Sequence, residues 1–151
     1  MMCDNELKNC ISNSVEETFE IGKKIAHELR GDEVILLSGG LGAGKTLITK
    51  GIVSSLGFDE NEVNSPSFTL MNIYETEKTR VYHIDLWRLD DVNEIVSSIG
   101  LYEIILEPAV IIIEWAEKLG NFSFGSRKII EIKIEGEGVE PRKIIVKNRD
   151  V

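Results

Sequence analysis

Cysteine is scarce in this sequence: 151 residues contain only Cys3 and Cys10, with no C-x-x-C spacing. Two thiols build neither a four-ligand zinc site nor a disulfide framework, and free thiols in a reducing cytosol are the expectation. Basic charge is in short supply too. Lys and Arg total 17 against 26 Asp and Glu, a net charge of −9. Such a surface repels a phosphate backbone, which nucleic-acid binders neutralise with clustered Lys and Arg. DNA is therefore not an expected partner, and any nucleic acid should enter through another protein. An acidic patch suits docking on a basic partner surface instead. Long hydrophobic runs are missing as well. The longest, Ala109 to Ile113, falls far short of the roughly 20 residues that span a bilayer. The N-terminus also has neither the basic flank nor the apolar stretch of a signal peptide. A cytoplasmic protein that makes no use of membranes is expected.

What the sequence does contain is ordinary globular material, 42% hydrophobic and 28% charged residues. Its length predicts one domain over residues 1–151. Ser14-Val15-Glu16-Glu17 fits a capping box that opens a helix, with Gly31 as its stop. Val34 to Leu37 is apolar on both faces and reads as a buried parallel strand. A helix from Lys45 to Leu56 follows, then a loop over Asp59 to Ser67. Phe68 to Tyr74 and Arg80 to Ile84 read as strands, Asp91 as the cap of a short helix to Ser98, and Ala109 to Ile113 as a central strand. Ile130, Ile132 and Ile134 alternate with charged residues, marking a half-exposed strand that turns at Gly136-Glu137-Gly138 into a last strand, Lys143 to Lys147. The pattern is α/β, with parallel central strands and antiparallel flanking strands.

Gly39-Gly40-Leu41-Gly42-Ala43-Gly44-Lys45-Thr46 matches G-x-x-x-x-G-K-[ST], the phosphate-binding loop. Glycines let successive backbone N–H groups wrap an anion, and the helix starting at Lys45 adds its positive end. Lys45 would reach the β- and γ-phosphates, and the Thr46 hydroxyl would ligate Mg²⁺. The motif sits between a buried strand and a helix, the context its chemistry requires.

P-loop proteins hold Mg²⁺ with an acid at the end of a second buried strand. Glu114, directly after Val110-Ile111-Ile112-Ile113, fits that position. Asp85 ends another strand, where ligands of open α/β sheets gather, and could orient an attacking water or bind the outer shell of the metal. His83, Trp87 and Trp115 read as packing groups. Arg88 reads equally as a phosphate-sensing cation or a surface ion pair. The guanine signature N-K-x-D and the switch D-x-x-G are both missing, which favours ATP.

Taken with the loop, three further patches point to one family: Ser65-Pro66-Ser67-Phe68-Thr69-Leu70, His83-Ile84-Asp85-Leu86-Trp87-Arg88-Leu89 and Glu114-Trp115. In this order they resemble the TsaE (YjeE) family, bacterial ATPases needed to make N6-threonylcarbamoyladenosine (t6A) in tRNA. The resemblance runs from Ser14 to Lys147. It implies a three-layer P-loop NTPase-like fold that binds ATP and Mg²⁺, with Asp85, Glu114 and Lys45 as catalytic residues. The nucleotide would be held by residues 39–46 together with Leu47 and Thr69, and the metal by Thr46 and Glu114. The loop from Ser65 to Leu70 would act as a switch. The implied partners are TsaD and TsaB, with tRNA met only through them and the threonylcarbamoyl group transferred elsewhere. Two positions depart from the family: Gly40 replaces the usual Asp or Glu, and Leu47 the usual Thr.

The expected chemistry is in-line attack of water on the γ-phosphoryl group, slow in the isolated protein and faster in the partner complex. Two alternatives fit the same loop: a small-molecule kinase, and a nucleotide-gated binding module with little hydrolysis.

Overall fold

The computed structural model describes residues 7–40, 42–66 and 70–149. Among these residues seven strands form one sheet: β1 (Leu7–Ser12), β2 (Val34–Ser38), β3 (Met71–Glu75), β4 (Arg80–Asp85), β5 (Ala109–Glu114), β6 (Ile129–Glu135) and β7 (Arg142–Arg149). Their order is β1-β7-β6-β2-β5-β4-β3. The central strands β6, β2, β5 and β4 are parallel neighbours, while β3 and the β7-β1 pair run antiparallel at the two edges. All six residues of β5 are buried, as expected of a strand covered on both faces.

Helices cover both faces. On one, α1 (Val15–Ala26) and α2 (Lys45–Ser55) close over Ile35, Leu37, Val110, Ile112 and Ile132. On the other, α3 (Val92–Ile99) and α4 (Leu101–Ile104) pack with Val34, Leu36, Ile84, Ile111 and Ile113. The even–odd split along β2 and β5 is the period-two alternation of a strand, each parity feeding one core. The architecture is the expected three-layer α/β sandwich. Helices α1 and α2 approach so closely that a Cβ on Gly51 would lie 2.2 Å from the Phe19 carbonyl oxygen, and one on Gly22 2.4 Å from that of Ile48.

Several boundaries differ from expectation. Ser14 caps α1 by accepting from the Glu17 amide at 3.1 Å, but Glu17 reaches the Asn13 amide and not that of Ser14. The helix also stops at Ala26, before Gly31. The strand expected from Phe68 starts at Met71, after Leu70 takes a left-handed φ of 69°; Ser67, Phe68 and Thr69 lie outside the described residues. Strand β1 and helix α4 were not anticipated. Cys10, buried on β1, is not a free thiol but disulfide-bonded, which corrects the expectation for that residue. Cys3 lies outside the described residues. No helix among the described residues is long and apolar enough to cross a membrane.

Candidate nucleotide site

The carboxyl ends of β2, β4 and β5 lie side by side, with Leu37 opposite Glu114 and Asp85 opposite Glu114 in the parallel register. The chain leaves β2 into the glycine loop and re-enters regular structure at Lys45. Gly39, Gly42 and Gly44 have φ values of 151°, 74° and 116°, a region that L side chains rarely adopt. At Gly39 a Cβ would also meet the Ile134 carbonyl oxygen at 2.7 Å. Among the described residues no side chain caps α2, and its first turn holds no acid, so its positive end turns to the loop.

Here a cavity of about 510 Å³ opens. Gly42, Ala43, Gly44, Lys45, Thr46 and Leu47 form its floor, and Asp85 and Glu114 stand across from them. Ser65, Trp87, Arg88 and Trp115 complete the wall. The sequence-predicted residues therefore converge, apart from Leu41 and Thr69, which lie outside the described residues. Gly39 and Gly40 enter as acceptors: the Lys45 Nζ donates to their carbonyls at 2.7 and 3.0 Å. Burial pushes the Lys45 ammonium below its ordinary pKa, while the carboxylates of Glu114, Asp85 and Glu117 oppose that shift. The ammonium also stands 4.7 Å from the ring centre of Trp115, a cation–π distance. The two tryptophans pack on each other, with ring centres 4.9 Å apart, and Trp115 adopts a left-handed φ of 60° that turns the chain directly after Glu114.

Both acids are buried, Asp85 at 4% and Glu114 at 3% exposure. The Trp87 amide donates to Asp85 Oδ1 at 3.0 Å. Glu114 Oε2 lies 2.6 Å from His83 Nε2, and His83 is fully buried. His83 Nδ1 in turn lies 3.0 Å from the Tyr74 hydroxyl. That hydroxyl donates to the Asn64 carbonyl oxygen at 3.1 Å, to which the Asn72 side-chain amide also donates at 3.1 Å. Burial raises the Tyr74 pKa, keeping the phenol neutral. His83 is thus a buried group with both ring nitrogens hydrogen-bonded, in keeping with its reading as a packing residue. The loop has a second unforeseen neighbour in Arg142 of β7, whose guanidinium donates to the carbonyls of Ala43 at 3.0 Å and Gly42 at 3.3 Å. It also binds the carbonyls of Gly138 and Glu140.

The chemistry of the site suits a phosphate chain with a divalent cation. Backbone amides freed to turn by left-handed glycines, the N-terminal end of α2 and a lysine present positive charge. Space is open where a Cβ would stand on Gly40 or Gly42, with nothing within 4 Å. Among the described residues no cluster of three or more His, Cys, Asp or Glu could cage a metal. Two carboxylates and the Thr46 hydroxyl are all-oxygen donors of the kind Mg²⁺ uses when phosphate and water complete its shell.

The sequence model of the family described as "Threonylcarbamoyl adenosine biosynthesis protein TsaE" matches residues 12–144. The protein named tRNA threonylcarbamoyladenosine biosynthesis protein TsaE from Aquifex aeolicus (strain VF5) is 39% identical over 113 residues, 74% of this chain and 79% of the relative. Its namesake from Treponema pallidum (strain Nichols) is 36% identical over 112 residues, 74% of this chain and 81% of the relative. Among solved structures, Bacillus subtilis YdiB superposes with a TM-score of 0.65 at 27% identity, over 93% of this chain and 84% of that one. On the family match and these identities together, the chain belongs to the TsaE family.

Proposed function

We propose that residues 1–151 act as one Mg²⁺-dependent ATPase domain serving t6A modification of tRNA in the cytoplasm, together with TsaD and TsaB. The observation that carries this reading is the single cavity shared by the uncapped end of α2, Lys45 and the two buried acids. The names of the relatives supply the pathway, and the net charge of −9 fits a subunit that leaves tRNA to its partners.

In this reading Lys45 leaves the Gly39 and Gly40 carbonyls for the phosphate chain, and the loop amides stabilise charge that spreads over the γ-phosphoryl oxygens. Thr46 and Glu114 would hold Mg²⁺, which when bound neutralises phosphate charge. Asp85, fixed by the Trp87 amide, positions the attacking water. Leu47 lines the cavity with an apolar group where the family usually offers a hydroxyl. Arg142 is held by carbonyls of its own chain, so it is not free to serve as an arginine finger. An added finger is worth about 10³–10⁵ in rate, and turnover is therefore expected to be slow alone and faster in the complex.

Phosphate release is measured for the isolated protein and for a mixture with TsaD and TsaB, beside a pull-down with and without Mg·ATP. Capture of the pair and faster release are expected. Equal turnover alone and in the mixture overturns the stimulation. Phosphorylated product in place of free phosphate would indicate a kinase. Partner function retained by Glu114→Gln without hydrolysis would indicate a nucleotide-gated module.

A further inference from the structure

Along β4 and β5 the alternation of side chains puts His83, Asp85, Ile112 and Glu114 on the sheet face covered by α1 and α2. Tyr74 reaches the same face from β3. A continuous line of polar atoms results: the Asn64 carbonyl, the Tyr74 hydroxyl, both ring nitrogens of His83 and Glu114 Oε2, with spacings of 3.1, 3.0 and 2.6 Å. Asn64 belongs to the loop that continues into Ser65 on the cavity wall. The line therefore joins that loop to an acid of the site through the protein interior.

We propose that Tyr74 and His83 are positioning residues that set the Glu114 carboxylate and tie its orientation to the backbone at Asn64. The inference rests on reading Glu114 as an acid of the nucleotide site. An imidazole N–H on Oε2 stops the carboxylate from rotating and leaves Oε1 for the cavity. The Tyr74 hydroxyl donates to the Asn64 carbonyl, so its oxygen accepts from His83 Nδ1–H, and one proton is shared between His83 Nε2 and Glu114 Oε2. The Asn64 carbonyl accepts from both the Tyr74 hydroxyl and the Asn72 amide. When the Asn64 backbone moves, the Tyr74 hydroxyl loses its acceptor and can turn its proton toward His83 Nδ1, and the His83 ring and Glu114 feel the change. Partners that orient a ligating or catalytic carboxylate typically matter by about 10–100-fold in activity.

Three variants test this: His83→Phe removes both ring contacts, His83→Gln keeps a donor toward Glu114, and Tyr74→Phe removes only the hydroxyl. Turnover, nucleotide affinity by calorimetry and melting temperature are measured for each. The His83 Nε2–H resonance is followed by NMR in wild type and Tyr74→Phe. In His83→Phe, kcat is expected to fall about 10–100-fold with nucleotide affinity close to wild type, and His83→Gln is expected to recover most of that loss. Tyr74→Phe is expected to shift the resonance. Should His83→Phe fail to fold, His83→Gln and Tyr74→Phe carry the test. Unchanged kcat in a folded His83→Phe, or a resonance indifferent to Tyr74→Phe, overturns the proposal. Wild-type protein that releases no phosphate refutes the ATPase reading instead, and the resonance still decides whether the line couples Tyr74 to His83.

Discussion

Arg142→Ala asks whether the phosphate loop is held in shape from outside. The guanidinium donates to the carbonyls of Ala43 and Gly42 across 99 and 100 residues of sequence. Hydrogen bonds to charged groups contribute roughly 1.5–3 kcal/mol. Arg142 is half-buried, and partial exposure screens each bond to about 1 kcal/mol. Losing both loosens the ordered loop by about 2 kcal/mol, roughly a thirtyfold change in its equilibrium. Apparent affinity falls with the fraction of loop that remains competent, so nucleotide binding should weaken by between about threefold and thirtyfold. The assay is a calorimetric titration of Mg²⁺ and a non-hydrolysable ATP analogue, with Lys143→Ala, the exposed neighbour on β7, as control. Affinity in Arg142→Ala equal to that of Lys143→Ala and wild type would refute the brace.

Lys45→Ala should weaken ATP binding about ten- to a hundredfold while the melting temperature stays near wild type, and equal affinity in the two proteins would break the site assignment. Gly51→Ala places a methyl 2.2 Å from the Phe19 carbonyl oxygen; overpacking of about 3 kcal/mol should lower the melting temperature on the order of 10 °C, measured by calorimetry. At Glu33 burial raises the carboxyl pKa, but backbone N–H groups of Arg30, Gly31, Glu33 and Asp32 together outweigh it and hold the net value below the ordinary one. Its contribution is then complete above the unfolded-state pKa and disappears as pH falls through the lower folded value. Glu33→Gln should cost about 2 kcal/mol at pH 7, and denaturant titrations should show the gap to wild type narrowing below about pH 4.

The parts of this site that a linear reading reaches are those written in adjacent residues. The loop from Gly39 to Thr46 is one contiguous pattern, and Asp85 and Glu114 each follow a run of strand-forming residues. Their convergence follows from β4 and β5 lying beside one another in parallel register. His83, Tyr74 and Arg142 stayed hidden because their roles depend on partners 31, 9 and 99 residues away. Only strand alternation hinted that His83 shares a face with Asp85. Strand β1 escaped notice because Leu7–Ser12 reads LKNCIS, a short edge segment with little β-branched content. Helix α4 is a single turn that begins after Gly100 in the left-handed conformation, too brief for periodicity to register.

The long reach from Arg142 back to Ala43 also has a meaning in time. During synthesis at about 5–20 residues per second, Ala43 precedes Arg142 by 99 positions, a lag of roughly 5–20 seconds. A nascent chain in that interval already carries its glycines and lysine but not the strand that steadies them. ATP binding competence should therefore arrive late on the ribosome, after most of the fold has been made.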